Sequence, residues 1–285
     1  MESIINTIIN GDCLVVMDFI ADESIDLIVT DSPYNAGFDF ANDSLPESEF
    51  LAFTERWMKK AALKLKKNGS FYCFIDKRML GKFQSILDNY LIFRNVVVWH
   101  FEAFFNRFHK NYDNRCEFVL FYTKSDDYTF NVLKEPPSMS MLKRWKPYAD
   151  AIGNIPFEAL TPSMRARQSK ENYDRNPTNI NRGAYQGNMI HSKRVRFREH
   201  ETQKPEDVIN VLLLASSNDG DVVLDPFAGS GTTCAVAKKL HRKYIGIEIS
   251  REYCDLIEKR MDAIKENRSL LKYVKQEASL SEFIK

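Results

Sequence analysis

Four consecutive residues, Asp31-Ser32-Pro33-Tyr34, place a carboxylate, a rigid backbone and an aromatic ring directly after a short apolar run. A carboxylate and a backbone carbonyl can accept both N–H bonds of an exocyclic amino group, which concentrates the nitrogen lone pair toward an electrophile. An aromatic ring can stack on the base that carries the amino group. The same residue types are common in a turn that ends a strand, so this motif alone leaves both interpretations open.

A second stretch that could do chemistry is the glycine loop VVLDPFAGSGTT at positions 222–233. Glycines between a strand and a helix let the backbone approach a ligand, and the helix N-terminus offers free N–H groups. Glu248 follows about 20 residues later, where an acid can accept hydrogen bonds from ribose hydroxyls. The spacing indicates a nucleoside cofactor. The third glycine of a dinucleotide fingerprint and the GK[ST] of a phosphate-binding loop are missing, so a purely structural turn is the alternative.

The elements that must position these motifs alternate between strand-like and helix-like patterns. Strands are predicted at 25–30, 70–75, 96–101, 117–123, 221–224 and 244–247, and helices at 47–67, 77–90, 205–215, 232–241 and 251–266. Such alternation predicts an α/β fold, doubly wound around a mostly parallel, Rossmann-like sheet. Trp57 and Trp99 fall within apolar patterns and are predicted to pack in the core.

The region between residues 125 and 200 has no sustained period and is interrupted by prolines. From Met141 to His200 it holds twelve Lys or Arg residues against five Asp or Glu residues, a net charge of +7 in a chain whose total is +1. A concentrated basic region favours a polyanion such as nucleic acid as the partner, and a solvated loop-rich insertion is the alternative.

Composition limits the class of protein. With 285 residues, of which 44% are hydrophobic and 28% charged, the chain can form one large domain with a smaller inserted piece. Five scattered cysteines without a CxxC pair, and histidines without ligand spacing, predict neither a disulfide framework nor a metal site. No apolar run is long enough to span a membrane and no signal peptide is visible, so a cytoplasmic location is expected.

Together the two motifs resemble the S-adenosylmethionine-dependent amino-methyltransferases, whose catalytic tetrapeptide is usually D/N/S-P-P-Y/F/W. Here the tetrapeptide precedes the cofactor loop and the basic region lies between them, an order similar to the β group of DNA amino-methyltransferases. Three further stretches fit the family. Residues 10–14 resemble the segment at the cofactor's adenine, 115–124 the strand after the catalytic motif, and 200–205 (HETQKP) the element near the methionine end.

The resemblance assigns roles to individual residues. It makes Asp31, Ser32, Pro33 and Tyr34 catalytic, with Ser32 in place of the family's first proline but keeping the backbone carbonyl. It assigns S-adenosylmethionine to Asp12, Cys13, Lys204, Asp225, Phe227, Gly229, Gly231, Thr232 and Glu248. Residues 1–124 and 201–285 would form the catalytic and cofactor-binding domain, and residues 125–200 a DNA target-recognition region.

The function that the resemblance implies is site-specific transfer of a methyl group to adenine N6 in double-stranded DNA, with the base flipped out and the methyl group transferred directly. Asp31 in the first position favours adenine over cytosine N4, which stays the alternative. Methylation of RNA and an inactive nucleic-acid-binding module are the rival functions. A cytosine-C5 enzyme is excluded because the chain lacks a Pro-Cys pair for its nucleophile. A cognate restriction endonuclease and a second copy of the chain are compatible partners, and no membrane partner is expected.

Overall fold

The computed structural model describes residues 4–35, 44–101, 114–135, 184–194 and 203–264. The strands are β1 (Thr7–Asn10), β2 (Ile25–Thr30), β3 (Leu65–Ile75), β4 (Ile92–His100), β5 (Cys116–Thr123), β6 (Lys134–Glu135), β7 (Ala184–Tyr185), β8 (Met189–His191), β9 (Val222–Asp225) and β10 (Lys243–Glu248). The helices are α1 (Cys13–Val16), α2 (Glu47–Lys64), α3 (Leu80–Leu87), α4 (Glu206–Ser216), α5 (Thr232–Lys239) and α6 (Arg251–Ala263).

Eight of these strands form one sheet in the order β1-β10-β9-β2-β3-β5-β4-β8. Strands β1, β10, β9, β2 and β3 run parallel to one another, and β4 and β8 run parallel to each other, whereas β5 is antiparallel to both β3 and β4. The predicted α/β fold with a mostly parallel, Rossmann-like sheet is therefore confirmed. The antiparallel strand is an addition that the sequence pattern did not indicate.

Helices cover both faces of the sheet because successive side chains of a strand point to opposite sides. On β2, Ile28 packs into a core with Trp57 of α2, whereas Leu27 and Val29 pack into a second core with Leu212 of α4. All six residues of β2 are buried, as expected of a central parallel strand. The prediction that Trp57 and Trp99 pack in the core is confirmed, since they are 1% and 2% exposed.

Several elements differ from the prediction, and three of the differences involve strand pairing. Strand β1 was not predicted, and it forms because β10 supplies a parallel partner from a distant part of the chain. Helix α2 ends at Lys64 rather than at 67, and the predicted Asn68-Gly69 stop lies within β3. Strand β8 lies within the region predicted to be irregular, and it pairs with β4 through Trp99 and Ile190.

The described residues fall into two compact units. One contains 4–131 and 187–264 with their gaps, and the other contains 132–135 and 184–186, where β6 and β7 pair antiparallel. Residues 125–131 and 187–194, which were predicted within the recognition region, thus belong to the first unit. The basic residues between 143 and 182, and His200 and Thr202 of the HETQKP stretch, lie outside the described residues.

All five cysteines are free thiols, four of them buried and Cys116 half-buried. Within the described ranges, no group of three or more Asp, Glu, His or Cys side chains is arranged to hold a metal ion. No helix in the described part of the chain is both long enough and apolar enough to cross a membrane.

Candidate active site

A cavity of about 390 Å³ opens at the carboxyl ends of β9, β10 and β2. From β9 the chain continues to β10 on one side, whereas β2 continues to β3 on the other, so the cavity lies where the strand order reverses. Ligands of open α/β sheets bind at such a point. The cavity is lined by all the predicted site residues except Gly231, namely Asp12, Cys13, Asp31, Ser32, Pro33, Tyr34, Lys204, Asp225, Phe227, Gly229, Thr232 and Glu248.

The glycine loop turns sharply between β9 and α5. Gly229 and Gly231 adopt φ values of 52° and 72°, which favour glycine. A Cβ atom on Gly231 would lie 2.5 Å from Cγ2 of Ile257, so α6 packs against the bare backbone. Arg260 of the same helix donates to the Ser230 carbonyl at 2.9 Å. Helix α6 therefore fixes the loop from behind while Gly229 faces the cavity.

Glu248, the last residue of β10, holds the other side of the loop. Its Oε2 accepts from the Gly229 N–H at 2.8 Å, and its Oε1 accepts from the Ser250 N–H at 2.8 Å. Burial raises the pKa of Glu248, and these backbone hydrogen bonds oppose the shift. A carboxylate has about four lone-pair sites, so Glu248 keeps accepting capacity for hydroxyl groups of a ligand.

Asp225 ends β9 at the floor of the cavity and is 3% exposed. Burial raises the pKa of its carboxyl group to about 7, although hydrogen bonds that include one from the Phe227 N–H at 3.1 Å act in the opposite direction. A buried carboxyl group that titrates near neutrality favours a cationic ligand group, because a positive charge compensates for its lost hydration.

The tetrapeptide continues directly from β2. The Asp31 carboxylate accepts a hydrogen bond from the Tyr34 hydroxyl and forms an ion pair with Lys204, whose Nζ lies 2.7 Å from Oδ2. Burial, followed by the nearby Asp31 charge, raises the pKa of Tyr34 well above its ordinary value. Ser32 is buried, with its Oγ 3.9 Å from the Cys73 thiol, so its side chain points into the protein.

Glu117 was not assigned a site role from the sequence, yet it lies beside Lys204. The Lys204 Nζ is 3.3 Å from Glu117 Oε2, and the lysine side chain is 8% exposed. Burial lowers the pKa of Lys204, but the Asp31 and Glu117 charges outweigh burial and raise it overall. The signal in the sequence was a carboxylate at the start of an otherwise apolar strand. That signal does not reveal that Lys204, 87 residues later, becomes its partner.

Several predicted cofactor residues also have contacts within the protein. Asp12 caps α1 by accepting from the Leu14 N–H at 2.8 Å. Burial raises the pKa of Cys13 to about 12, which keeps its thiol protonated. The Phe227 ring meets the Trp57 ring edge-on at a centroid distance of 5.1 Å. These contacts fix the cavity wall, and the ligand roles of these residues stay predictions.

Comparisons with known proteins agree with this geometry. A family model described as "DNA methylase", of the N6/N4 type, matches residues 25–259. DNA adenine methyltransferase YhdJ of Escherichia coli (strain K12) is 35% identical over 265 residues, 90% of this chain and 82% of that protein. Type II methyltransferase M.HpaI of Haemophilus parainfluenzae is 31% identical over 247 residues, 85% of this chain and 69% of that protein.

Solved structures of other methyltransferases resemble this chain in fold. The PvuII DNA methyltransferase, described as cytosine-N4-specific, superimposes with a TM-score of 0.61 at 17% identity, over 94% of this chain and 90% of that one. At this identity the likeness concerns the architecture, and it carries no information on which base is modified.

Proposed function

The chain belongs to the N6/N4 family of DNA methylases, and from this membership we propose that it methylates the N6 amino group of adenine in double-stranded DNA. S-adenosylmethionine is the cofactor. The observation that carries the proposal is that the Asp31 carboxylate shares one cavity with Glu248 and the glycine loop. An acceptor for an amino group thus lies beside the elements suited to a nucleoside.

The residues of the cavity fit this cofactor. Glu248 has accepting capacity left for the ribose hydroxyls, Gly229 has no side chain to keep the ligand away from the loop, and buried Asp225 suits a positively charged group. A volume of about 390 Å³ is within the usual range for small-molecule sites. When bound, S-adenosylmethionine supplies a methyl group that is activated by a sulfonium leaving group.

The chain's own residues act on the base. Asp31 and the backbone carbonyl of Ser32 accept the two N–H bonds of the amino group, which directs its lone pair toward the methyl group. Tyr34 stacks on the base after the nucleotide has been flipped out of the duplex. The nitrogen attacks directly, so catalysis rests on positioning and electrostatics rather than on a covalent enzyme intermediate.

Adenine is proposed rather than cytosine on two grounds. Asp31 occupies the first position of the tetrapeptide, and the relative at 35% identity is a DNA adenine methyltransferase. The alternative, cytosine N4, uses the same amino-group chemistry in the same cavity. Recognition of the DNA sequence is assigned to the basic region 125–200, where Arg side chains can contact phosphates and guanine edges. We further propose a cognate restriction endonuclease and a second copy of this chain as partners.

Radiolabelled transfer tests the function directly. The protein is incubated with tritiated S-adenosylmethionine and unmethylated duplex DNA of mixed sequence, and the nucleosides of the digested DNA are separated. Label in N6-methyladenine is expected. Label in N4-methylcytosine would show that cytosine is the target base. Label only in added RNA would show that the substrate is RNA rather than DNA.

The role of Asp31 is tested by Asp31→Asn, which keeps the size of the side chain and removes its charge. Loss of one oriented acceptor is expected to lower the transfer rate by roughly 10²- to 10³-fold. The affinity for S-adenosylmethionine, measured by calorimetry, is expected to remain. Asp255→Asn removes an exposed carboxylate paired with Arg251 and serves as the control. Undiminished transfer by Asp31→Asn would disprove the catalytic assignment.

A further inference from the structure

Glu117 lies near the start of β5, outside the tetrapeptide and the cofactor loop, yet its carboxylate contacts Lys204, which lines the cavity. We propose that Glu117 is a positioning residue that acts through Lys204 and keeps Asp31 available to the target amino group. The inference rests on the proposed function, because it concerns the same methyl transfer.

The geometry places one ammonium between two carboxylates. Lys204 Nζ lies 2.7 Å from Asp31 Oδ2 and 3.3 Å from Glu117 Oε2. The two carboxylates belong to different strand ends, since Asp31 directly follows β2 and Glu117 is the second residue of β5, with β3 between these strands in the sheet. Lys204 is 8% exposed and both acids are less than a quarter exposed. Charge interactions in such a desolvated site are stronger than at the surface.

The surroundings hold the lysine in place. Its Nζ lies 5.4 Å from the centroid of the Phe74 ring and 5.6 Å from that of Tyr34, so aromatic faces limit its movement. Arg194 lies on the other side of Glu117, with Nη2 3.8 Å from Oε1 and its guanidinium 3.9 Å from the Phe101 ring centroid. Two acids and two cations therefore form a cluster whose formal charges balance.

The consequence concerns how the positive charge of Lys204 is shared between the two carboxylates. A lysine ammonium is a point charge on a flexible stem, so a second carboxylate nearby draws it away from the first. Without the Glu117 charge, Lys204 would pair with Asp31 alone and would occupy lone pairs that the target amino group needs. With Glu117 present, the ammonium is shared, and Asp31 keeps accepting capacity toward the cavity.

The variant Glu117→Gln tests this role because it preserves size and removes the charge. The turnover number is expected to fall by about 10- to 100-fold, with kcat/KM for DNA reduced in parallel, as for an interaction made in the transition state. The dissociation constant for S-adenosylmethionine is expected to stay within about twofold, since Glu117 does not line the cavity. Glu47→Gln makes the same substitution at an exposed ion pair with Lys82 on the surface of α2, and it is expected to leave turnover unchanged.

A double-mutant cycle with Lys204→Met separates positioning from a purely structural role. If Glu117 acts through Lys204, the double variant loses no more activity than Lys204→Met alone. Additive losses would overturn the inference, and so would an unchanged turnover number for Glu117→Gln or a fall in cofactor affinity that matches the fall in rate. Thermal melting of each variant checks that the comparison is made on folded protein.

Failure of the inference is distinguishable from failure of the proposed function. Normal adenine methylation by Glu117→Gln would remove the role of Glu117 and leave the proposed function intact. If the unaltered protein methylated neither adenine nor cytosine in any duplex, the proposed function would fall, and this inference would fall with it.

Discussion

Asp225 links cofactor binding to pH at the scale of a single residue. Burial raises the pKa of this carboxyl group to about 7 in the free protein, and a cationic ligand group favours its ionised form. Binding of S-adenosylmethionine should therefore release a proton below that pH, and the affinity is expected to rise about tenfold from about pH 6 to about pH 8. Isothermal titration calorimetry in buffers of different ionisation enthalpy measures both the affinity and the released proton.

The variant Asp225→Asn is expected to weaken binding and to flatten this pH profile, because the amide cannot ionise. Asp18→Asn, at an exposed ion pair with Lys60, should keep the profile of the unaltered protein. Equal affinity of the unaltered protein at both pH values would contradict the coupling.

Ionisation of Asp225 strengthens cofactor binding but lowers the stability of the ligand-free protein. The pKa of this carboxyl group is higher in the folded than in the unfolded state, so its stabilising contribution is complete at low pH and is lost as the pH rises through about 7. The free energy of unfolding of Asp225→Asn, from denaturant titration, is therefore expected to fall less between about pH 5 and pH 8 than that of the unaltered protein. Parallel curves for the two proteins would disprove this contribution.

At the scale of the element, the glycine loop depends on its contact with α6. The substitution Gly231→Ala combines a strained left-handed φ of 72° with a Cβ that would lie 2.5 Å from Ile257. The loop must move, so both thermal stability and affinity for S-adenosylmethionine are expected to fall.

Gly220→Ala is the matched control, because Gly220 has φ 86° but nothing lies within 4 Å of its Cβ position. That variant is expected to show only the backbone strain of about 1–2 kcal/mol, with cofactor affinity unchanged. Equal losses of affinity would show that the contact with Ile257 is unimportant.

Elements whose signals are local were predictable from the sequence. The buried run of β2, the glycine turn and the amphipathic α6 each carry their pattern within one segment. Strand β1 does not, because its partly exposed residues become a strand only through pairing with β10. The end of α2 was missed for a similar reason, since Leu65 pairs with Ile25 and Lys66 bonds to Asp26 at 2.7 Å, contacts that the helical pattern could not reveal.

The residues of the candidate site also fall into those that the sequence predicts and those that it does not. Asp31, Tyr34, Gly229 and Glu248 belong to motifs whose residue types and spacing predict a shared chemistry, and they line one cavity. Glu117 was missed because its significance comes from a lysine that is distant in sequence and close in space. The base chosen for methylation is a further property that these residues do not encode locally, since both candidate amino groups need the same acceptors.

At the scale of the whole molecule, the proposed function assigns catalysis to the cavity and most DNA contacts to residues 125–200. The basic region 125–200 is expected to bind mainly phosphates, so DNA affinity should fall steeply with salt. The double variant Arg165→Ala/Arg167→Ala, outside the described residues, is expected to weaken DNA binding and to reduce the slope of log affinity against log salt by up to about 1 per lost phosphate contact. Fluorescence anisotropy at several salt concentrations measures this slope.

The matched control is Arg56→Ala/Lys59→Ala, which removes two charges from the exposed face of α2. It is expected to leave the slope unchanged. An equal effect of both double variants would show that the net charge of the protein, rather than its basic region, governs the affinity for DNA.

The distribution of the five thiols has a practical consequence. Cys13, Cys73, Cys234 and Cys254 are buried and their pKa values are raised, chiefly by burial, whereas Cys116 is half-buried at the start of β5. A maleimide dye should therefore attach to Cys116 first, without removal of any other cysteine. A fluorophore at that position would sit one residue from Glu117, and its emission could follow the arrival of DNA at the site in real time.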